Sequence, residues 1–282
     1  MVDRIIILGG GFIGKSLSNR LYDLSINHLL ITREQFDFEK KNEADSFLKS
    51  IIRSNDRIVF TAAIAPVKNM EMFIKNMMII KNICSFFSEN KVKHFLNISS
   101  DAIFSDSMDP IIESSETDPN SLHGLMHLVR EKYIFETIKS PTLILRPTLI
   151  YGNNDPHNSY GPNSFFRKIM NNENIKLFGK GEELRDHIYI DDVIAIITKL
   201  IKKCSVGKFN LVTGQVISFK TIAETVKEIL NRNIEIIETE RVGKMPHNGY
   251  RNFNNKKLVE ELEEYNFVDI ETGIKRMLDY NK

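Results

Sequence analysis

His123 and His127, spaced four apart, are the residues of this chain best suited to moving a proton. Residues four apart share one helix face, so both imidazoles point the same way. An imidazole titrates near pH 6.5, close to where a general acid or base works best. Two protonated rings side by side repel, so one of the pair is expected to stay neutral. Zinc is a poor use of them, because no Glu adjoins His123 and no third ligand stands out. No metal is expected.

The second chemical feature is Gly9-Gly10-Gly11-Phe12-Ile13-Gly14, directly after a short apolar run and directly before a segment of helical period. It fits G-x-G-x-x-G. Gly9 permits a tight turn, Gly11 lets backbone approach a pyrophosphate, and Gly14 allows close helix–strand packing. Phe12 and Ile13 open a helix whose N-terminal N–H groups suit phosphate. Dinucleotide binding is the expectation. The next strand ends Ile31-Thr32-Arg33-Glu34. An acidic side chain there would bond the ribose 2′-hydroxyl of NAD, whereas an arginine accommodates the 2′-phosphate of NADP. Arg33 leans the expectation to NADP, and Glu34 keeps NAD open.

Such groups need a scaffold that holds them at strand ends. The 282 residues suit two domains or one large α/β unit with an extension. Apolar residues at 42% and charged residues at 27% rule out a disordered chain or a fibre. Lys plus Arg number 38 against 37 for Asp plus Glu, which removes the electrostatic case for a nucleic-acid or anionic-membrane partner. Cys84 and Cys204 are too few for a disulfide framework, so a reducing, cytoplasmic home is expected. No stretch approaches the roughly 18 uninterrupted apolar residues of a membrane span.

Apolar runs at 4–8, 28–32, 57–61, 94–99 and 142–146 alternate with helical segments at 13–24, 43–53, 70–89 and 122–139. That rhythm predicts a doubly wound (Rossmann) parallel sheet with helices on both faces. A smaller C-terminal α/β part follows. The expected division is 1–150 for dinucleotide and 151–282 for substrate, with 186–212 returning to the first sheet. In the second half the pattern predicts a loop over 151–163, helices over 164–170, 191–203 and 218–230, a hairpin over 175–185, strands at 187–190 and 234–238, and closing helices at 256–264 and 270–279. Four methionines within 70–78 read as helical core.

Further motifs stand in a telling order: Phe36-Asp37-Phe38, Thr61-Ala62-Ala63, Asn76, Asn97-Ile98-Ser99-Ser100-Asp101, Arg146-Pro147 through Tyr151-Gly152, Gly179-Lys180-Gly181, and Arg185-Asp186-His187 through Asp191-Asp192-Val193. Over nearly the whole chain this set resembles the extended short-chain dehydrogenase/reductase family of nucleotide-sugar epimerases, dehydratases and ketoreductases. The resemblance implies a cofactor cradle that includes Asp37, Phe38, Ala62, Ala63 and Pro147, and a Ser, here Ser100, that orients the substrate oxygen. In that family a Tyr shuttles the proton and a Lys four residues on binds the nicotinamide ribose. No Tyr of this chain has Lys four residues later, and the two slots hold His123 and His127. His123 is then the expected proton donor and His127 the ribose ligand.

Within that family, dehydratases carry an acid pair after the Ser/Thr; Ala102 cannot titrate, so water elimination loses its base. Reduction of a 4-keto nucleotide sugar is the leading expectation. The alternatives are an epimerase and a catalytically degenerate NAD(P)-binding protein. The resemblance places Asn163, Arg185, Arg241 and Arg251 on the nucleotide sugar. It also implies a homodimer formed through the helix 70–89 and the helix that bears His123.

Overall fold

The computed structural model describes residues 3–156, 158 and 160–281, the side chains of Lys41 and Asn42 apart; His157 and Ser159, within the segment expected to loop, lie outside. In chain order the first elements are β1 (Arg4–Leu8), α1 (Phe12–Asp23), β2 (His28–Ile31), α2 (Lys41–Ile51), β3 (Asp56–Phe60), α3 (Met70–Glu89), β4 (His94–Ile98), α4 (Leu122–Thr137) and β5 (Thr142–Pro147). Then come β6 (Leu149–Tyr151), α5 (Pro162–Met170), β7 (Ile175–Phe178), β8 (Leu184–Tyr189), α6 (Ile190–Lys203), β9 (Gly207–Leu211) and β10 (Val216–Ser218). The chain closes with α7 (Phe219–Leu230), β11 (Ile236–Thr239), β12 (Tyr250–Arg251), α8 (Lys256–Leu262) and α9 (Ile270–Tyr280). Among the described residues, no helix is long and apolar enough to cross a membrane.

Two compact units emerge. The first holds Met1–Ser105, Glu113–Pro147 and Ile194–Asn210. Its sheet has six strands in the order β2-β1-β3-β4-β5-β9, and the pairs β1–β2, β1–β3, β3–β4 and β4–β5 are parallel. Strands such as β4 are buried throughout because helices cover both faces, which is why apolar residues such as Phe95 and Leu96 follow one another without alternation. The order reverses beside β1, so a crevice opens between the carboxyl ends of β1 and β3, where a doubly wound sheet takes its ligand. Leu8, Ile58, Phe60, Ile83, Phe87 and Phe95 belong to the core beneath it. Asn69 caps α3 by accepting from the Met72 N–H. The methionines of α3 are helical and core only in part: Met72 and Met77, half-buried, pack against the core cluster, Met78 is half-buried, and Met70 is 57% exposed.

The second unit holds Asp106–Ile112, Thr148–Val193 and Leu211–Lys282. The hairpin expected over 175–185 does not form. β7 pairs in parallel with β11, from Ile175 opposite Ile236 to Phe178 opposite Thr239. β8 instead pairs with β10 antiparallel and with β6 and β12 in parallel. Gly179 (φ +62°) and Gly181 (φ +69°) both adopt left-handed backbone in the turn that follows β7. The chain there heads away from its own strand, and the Ile-rich β11 takes the vacated edge. Boundaries also shift: β8 begins at Leu184 and β11 at Ile236, and the segment read as one loop gives Tyr151 to β6 and Pro162 to α5. The short strands β6, β10 and β12 were not anticipated. They are two or three residues long and defined by distant partners, so they carry no periodicity of their own.

Candidate functional site

The glycine loop is built by collision. Gly9 has φ +125°, and a side chain there would strike the Ala62 N–H and the Thr61 hydroxyl. Thr61 donates its hydroxyl to the Gly9 carbonyl at 2.8 Å, and the N–H groups of Thr61 and Ala62 both donate to Leu8 O. A Cβ on Gly14 would run into the Gly9 carbonyl, so β1 and α1 pack at this closeness only with glycine. Gly11 differs: nothing lies within 4 Å of its would-be side chain. It caps α1 with no side-chain acceptor, and no acidic residue sits in the first turn. The positive end of α1 therefore faces open space, as a pyrophosphate requires.

A cleft of about 240 Å³ follows that loop. Gly9, Gly11, Arg33, Asp37, Phe38, Ala62 and Ala63 line it, all expected there; so do Phe36 and Thr61, which stand in the motifs but were given no role, and Lys15, which no motif includes. Phe12, Ile13, Gly14, Pro147 and His127 are not part of its wall. The residues present fit a dinucleotide, with a phosphate cradle at one end and a polar β2 end at the other. Arg33, however, is engaged: its guanidinium pairs with Asp37 at 3.2 Å and with Glu39 at 2.7 Å. Asp37 also accepts from the Glu39 N–H.

The proton-handling pair rides on α4. Ser121 caps this helix, its Oγ accepting from the Gly124 N–H at 3.1 Å. A Cβ on Gly124 would collide with the Ala102 carbonyl, so α4 starts hard against the 3-10 turn Asp101–Ile103. Ser100 caps that turn, accepting from the Ala102 N–H at 3.1 Å and donating to Asp101 Oδ1 at 3.4 Å. Ser100 and His123 thus sit on two elements in contact, both half-buried. The imidazoles meet edge to face, ring centroids 4.8 Å apart. His123 Nδ1 faces the Val67 N–H at 3.5 Å. His127 is buried, and its Nδ1 has no hydrogen-bond partner. Burial first, then His123 and Arg130, hold it well below the usual imidazole range, so it is neutral.

Two buried arginines frame this helix. Arg146 pairs with Glu131 at 2.7 Å, and Glu131 also accepts from the Ser99 hydroxyl at 2.6 Å. Arg130 reaches the ends of β3 and β4 and was passed over in the sequence, where an Arg inside a helix is ordinarily a surface charge.

In the second unit the expected arginines are not solvated surface charges. Arg251 is 1% exposed and stands opposite Arg185 in the β12–β8 register. Arg251 Nη1 donates to Asp106 Oδ1 at 3.3 Å and lies 3.1 Å from His247 Nδ1, which contacts the same carboxylate at 2.5 Å. Arg185 holds Glu183 at 3.1 Å but keeps a buried Nε with no partner. Arg241 lies apart from these two. It donates to Phe178 O at 2.9 Å, pairs with Glu182, and also keeps a buried unpartnered Nε. Phe178 is 59% exposed and packs on Tyr160, 4.6 Å between centroids. Asn163 is buried, fixed by the Gly152 N–H at 3.0 Å and by Asp155. His247, Asp106, Phe178 and Tyr160 were missed, since no local motif marks residues joined only by folding.

Comparison with known proteins accords with this architecture. Residues 5–211 match the NAD-dependent epimerase/dehydratase family. A dTDP-D-glucose 4,6-dehydratase of Dictyostelium discoideum is 25% identical over 83% of this chain, which spans 63% of that relative's length. An ADP-L-glycero-D-manno-heptose-6-epimerase of Brachyspira hyodysenteriae is 25% identical over 96% of each chain. The crystal structure of a Thermus thermophilus UDP-glucose 4-epimerase in complex with NAD superposes with a TM-score of 0.85, at 19% identity and 98% coverage of both chains. The cradle at Gly9–Gly14 and the six-stranded sheet behind it lie inside the matched span, and on that footing the chain belongs to the NAD-dependent epimerase/dehydratase family.

Proposed function

We propose that the protein transfers hydride between NAD and a nucleotide-activated sugar, and that it does so reversibly, as an epimerase. The observation that carries the choice of coenzyme is the occupation of Arg33 by Asp37 and Glu39. A 2′-phosphate would meet two carboxylates there, whereas a ribose hydroxyl would find acceptors. NAD retained and recycled suits oxidation followed by re-reduction. Reduction of a 4-keto sugar by NADPH is the second reading, favoured by a Ser100–His123 arrangement that would serve a carbonyl equally well.

When bound, NAD supplies the hydride acceptor and donor. The protein's part is to bind, orient and manage one proton. The open N-terminus of α1 at Gly11 takes the pyrophosphate, between walls formed by Asp37 and Phe38 on one side and Ala62 and Ala63 on the other. Ser100 and His123 meet the same sugar oxygen, and its proton passes to and from the imidazole of His123. His127, uncharged, offers its unpartnered nitrogen to a ribose hydroxyl. In the second unit Arg185, whose Nε is unpartnered, suits a diphosphate, while Arg251 is held by Asp106 and His247. The exposed Phe178 ring, tilted against Tyr160 and with Arg241 on its carbonyl, suits contact with a base, and Asn163 lines the pocket beside Tyr160. Met70 and Ile74 are 57% and 55% exposed on α3, and Leu125 is 39% exposed on α4. That apolar stripe supports a homodimer formed by pairing these helices. Two free cysteines, one of them buried, agree with a reducing, cytoplasmic setting.

The test is to denature the purified protein, identify any released dinucleotide, and incubate native protein plus NAD with UDP-, dTDP- and ADP-sugars. Interconversion of two sugars with no net change in NADH supports the epimerase. Consumption of NADPH by a 4-keto sugar moves the assignment to a reductase. NAD binding with no sugar altered overturns the enzymatic reading.

A further inference from the structure

Arg130 is 1% exposed, and every hydrogen bond it makes goes to an uncharged acceptor. Nε donates to Asn97 Oδ1 at 2.5 Å, Nη1 to Ala62 O at 2.8 Å and Nη2 to Phe60 O at 3.2 Å. The guanidinium also lies 3.8 Å from the centre of the Phe60 ring. Among the described residues no carboxylate pairs with it, in contrast to Arg146 and its partner Glu131. A buried charge left without a counter-charge is expensive, and chains that only need packing avoid it. Burial pulls this guanidinium down to about 9, which still leaves it a cation at neutral pH.

Its position gives the charge a use. Arg130 follows His127 by three residues, so the two share a face of α4. Its Nη1 holds the carbonyl of Ala62, whose residue forms the wall of the dinucleotide cleft. Among the described residues, the elements packed on this part of α4 bring the following titratable groups. On α4 they are His123, His127, Arg130 and Glu131, the last held by Arg146 and Ser99. From α3 comes Cys84, a thiol that burial pushes up to about 11 and therefore uncharged. From the 3-10 turn comes Asp101, hydrogen-bonded by Ser100. The Val67 N–H faces His123 Nδ1 and opposes a proton on that nitrogen.

We propose that Arg130 is the fixed cation of this site, a positioning residue held by its strand contacts, whose charge adds to burial in disfavouring a proton on both imidazoles at rest. The next proton to enter then comes from the sugar hydroxyl, as its carbon-bound hydrogen leaves with two electrons to the oxidised dinucleotide and a ketone forms. That consequence rests on the hydride-transfer reading above; the charge arrangement does not.

The experiment reads protons rather than turnover. Histidine side-chain NMR on the full chain with NAD added gives the protonation midpoint of His123, its signal identified by loss in His123→Gln. The wild-type midpoint is expected below 6.5. Arg130→Lys keeps the charge and should leave the midpoint in place. Arg130→Met combined with Asn97→Leu removes the charge together with its side-chain hydrogen-bond partner and should raise the midpoint by about one pH unit. A purely structural Arg130 would lower the melting temperature of both variants and move neither midpoint. A wild-type midpoint at or above 6.5, which needs no variant, or an unmoved midpoint in the folded double variant overturns the proposal. A shifted midpoint in a protein that alters no sugar would instead count against the proposed function alone.

Discussion

His127 shows how far one residue's role depends on what surrounds it. Its spacing left open which ring of the pair stays neutral; in the structure His127 is buried, neutral and short of a partner at Nδ1. His123 is only half-buried, and it is the ring to which the proposed mechanism gives the proton. His123→Phe keeps an aromatic ring against His127 but cannot hold a proton, and steady-state assays on the substrate found by the sugar panel should show turnover reduced about a hundredfold or more. Residues with a strict conformational task were readable in advance: Gly9 and Gly14 have no room for a side chain, and their spacing says so. Arg33 was read by position alone, because the carboxylates of Asp37 and Glu39 meet it only once the chain has turned after β2. Arg130 gave no signal at all, since its meaning lies in a counter-charge that is missing.

At the scale of elements, the first unit was legible because each strand is an apolar run and each helix has a cap or a period. The start of α4 is the element on which the site turns. Ser121 fixes where it begins, and Gly124 sets how closely it meets the turn that carries Ser100. Gly124→Ala forces a methyl group into the Ala102 carbonyl. Urea unfolding should show a loss of about 1–3 kcal/mol, and activity should fall further than stability because His123 and Ser100 are pushed apart. An unchanged midpoint of unfolding would mean that α4 can slide on the turn. The false hairpin after β7 has an equally local cause. A Gly-rich stretch between two strand-like segments reads as a reversal, and nothing nearby reveals that Ile236 and Ile237, some sixty residues on, bind that edge more favourably.

For the whole molecule, buried imidazoles make stability depend on pH. His187 is pushed down to about 3 by burial, reinforced by Arg185. Unfolded, it would titrate near 6.5. Its contribution is therefore complete above pH 6.5 and declines as pH falls toward 3, where the unfolded chain takes up a proton that the folded one refuses. The slope is about 1.4 kcal/mol per pH unit, or about 2 kcal/mol between pH 6.5 and 5, with His127 adding in the same direction. Thermal unfolding of the wild type should show this decline, and His187→Phe should flatten it in part; an equally steep decline in that variant would assign the loss to other groups.

The return of β9 to the first sheet has an outcome during synthesis. β5, buried at every position, would be an edge strand until Gly207–Leu211 has emerged, some sixty residues later. A nascent chain halted near residue 150 would leave one side of this apolar strand unpaired and able to recruit another copy's backbone, the starting geometry of aggregation. The stretch between β5 and β9 is therefore a vulnerable interval in translation, and a fragment cut at the apparent domain boundary would inherit that stickiness permanently.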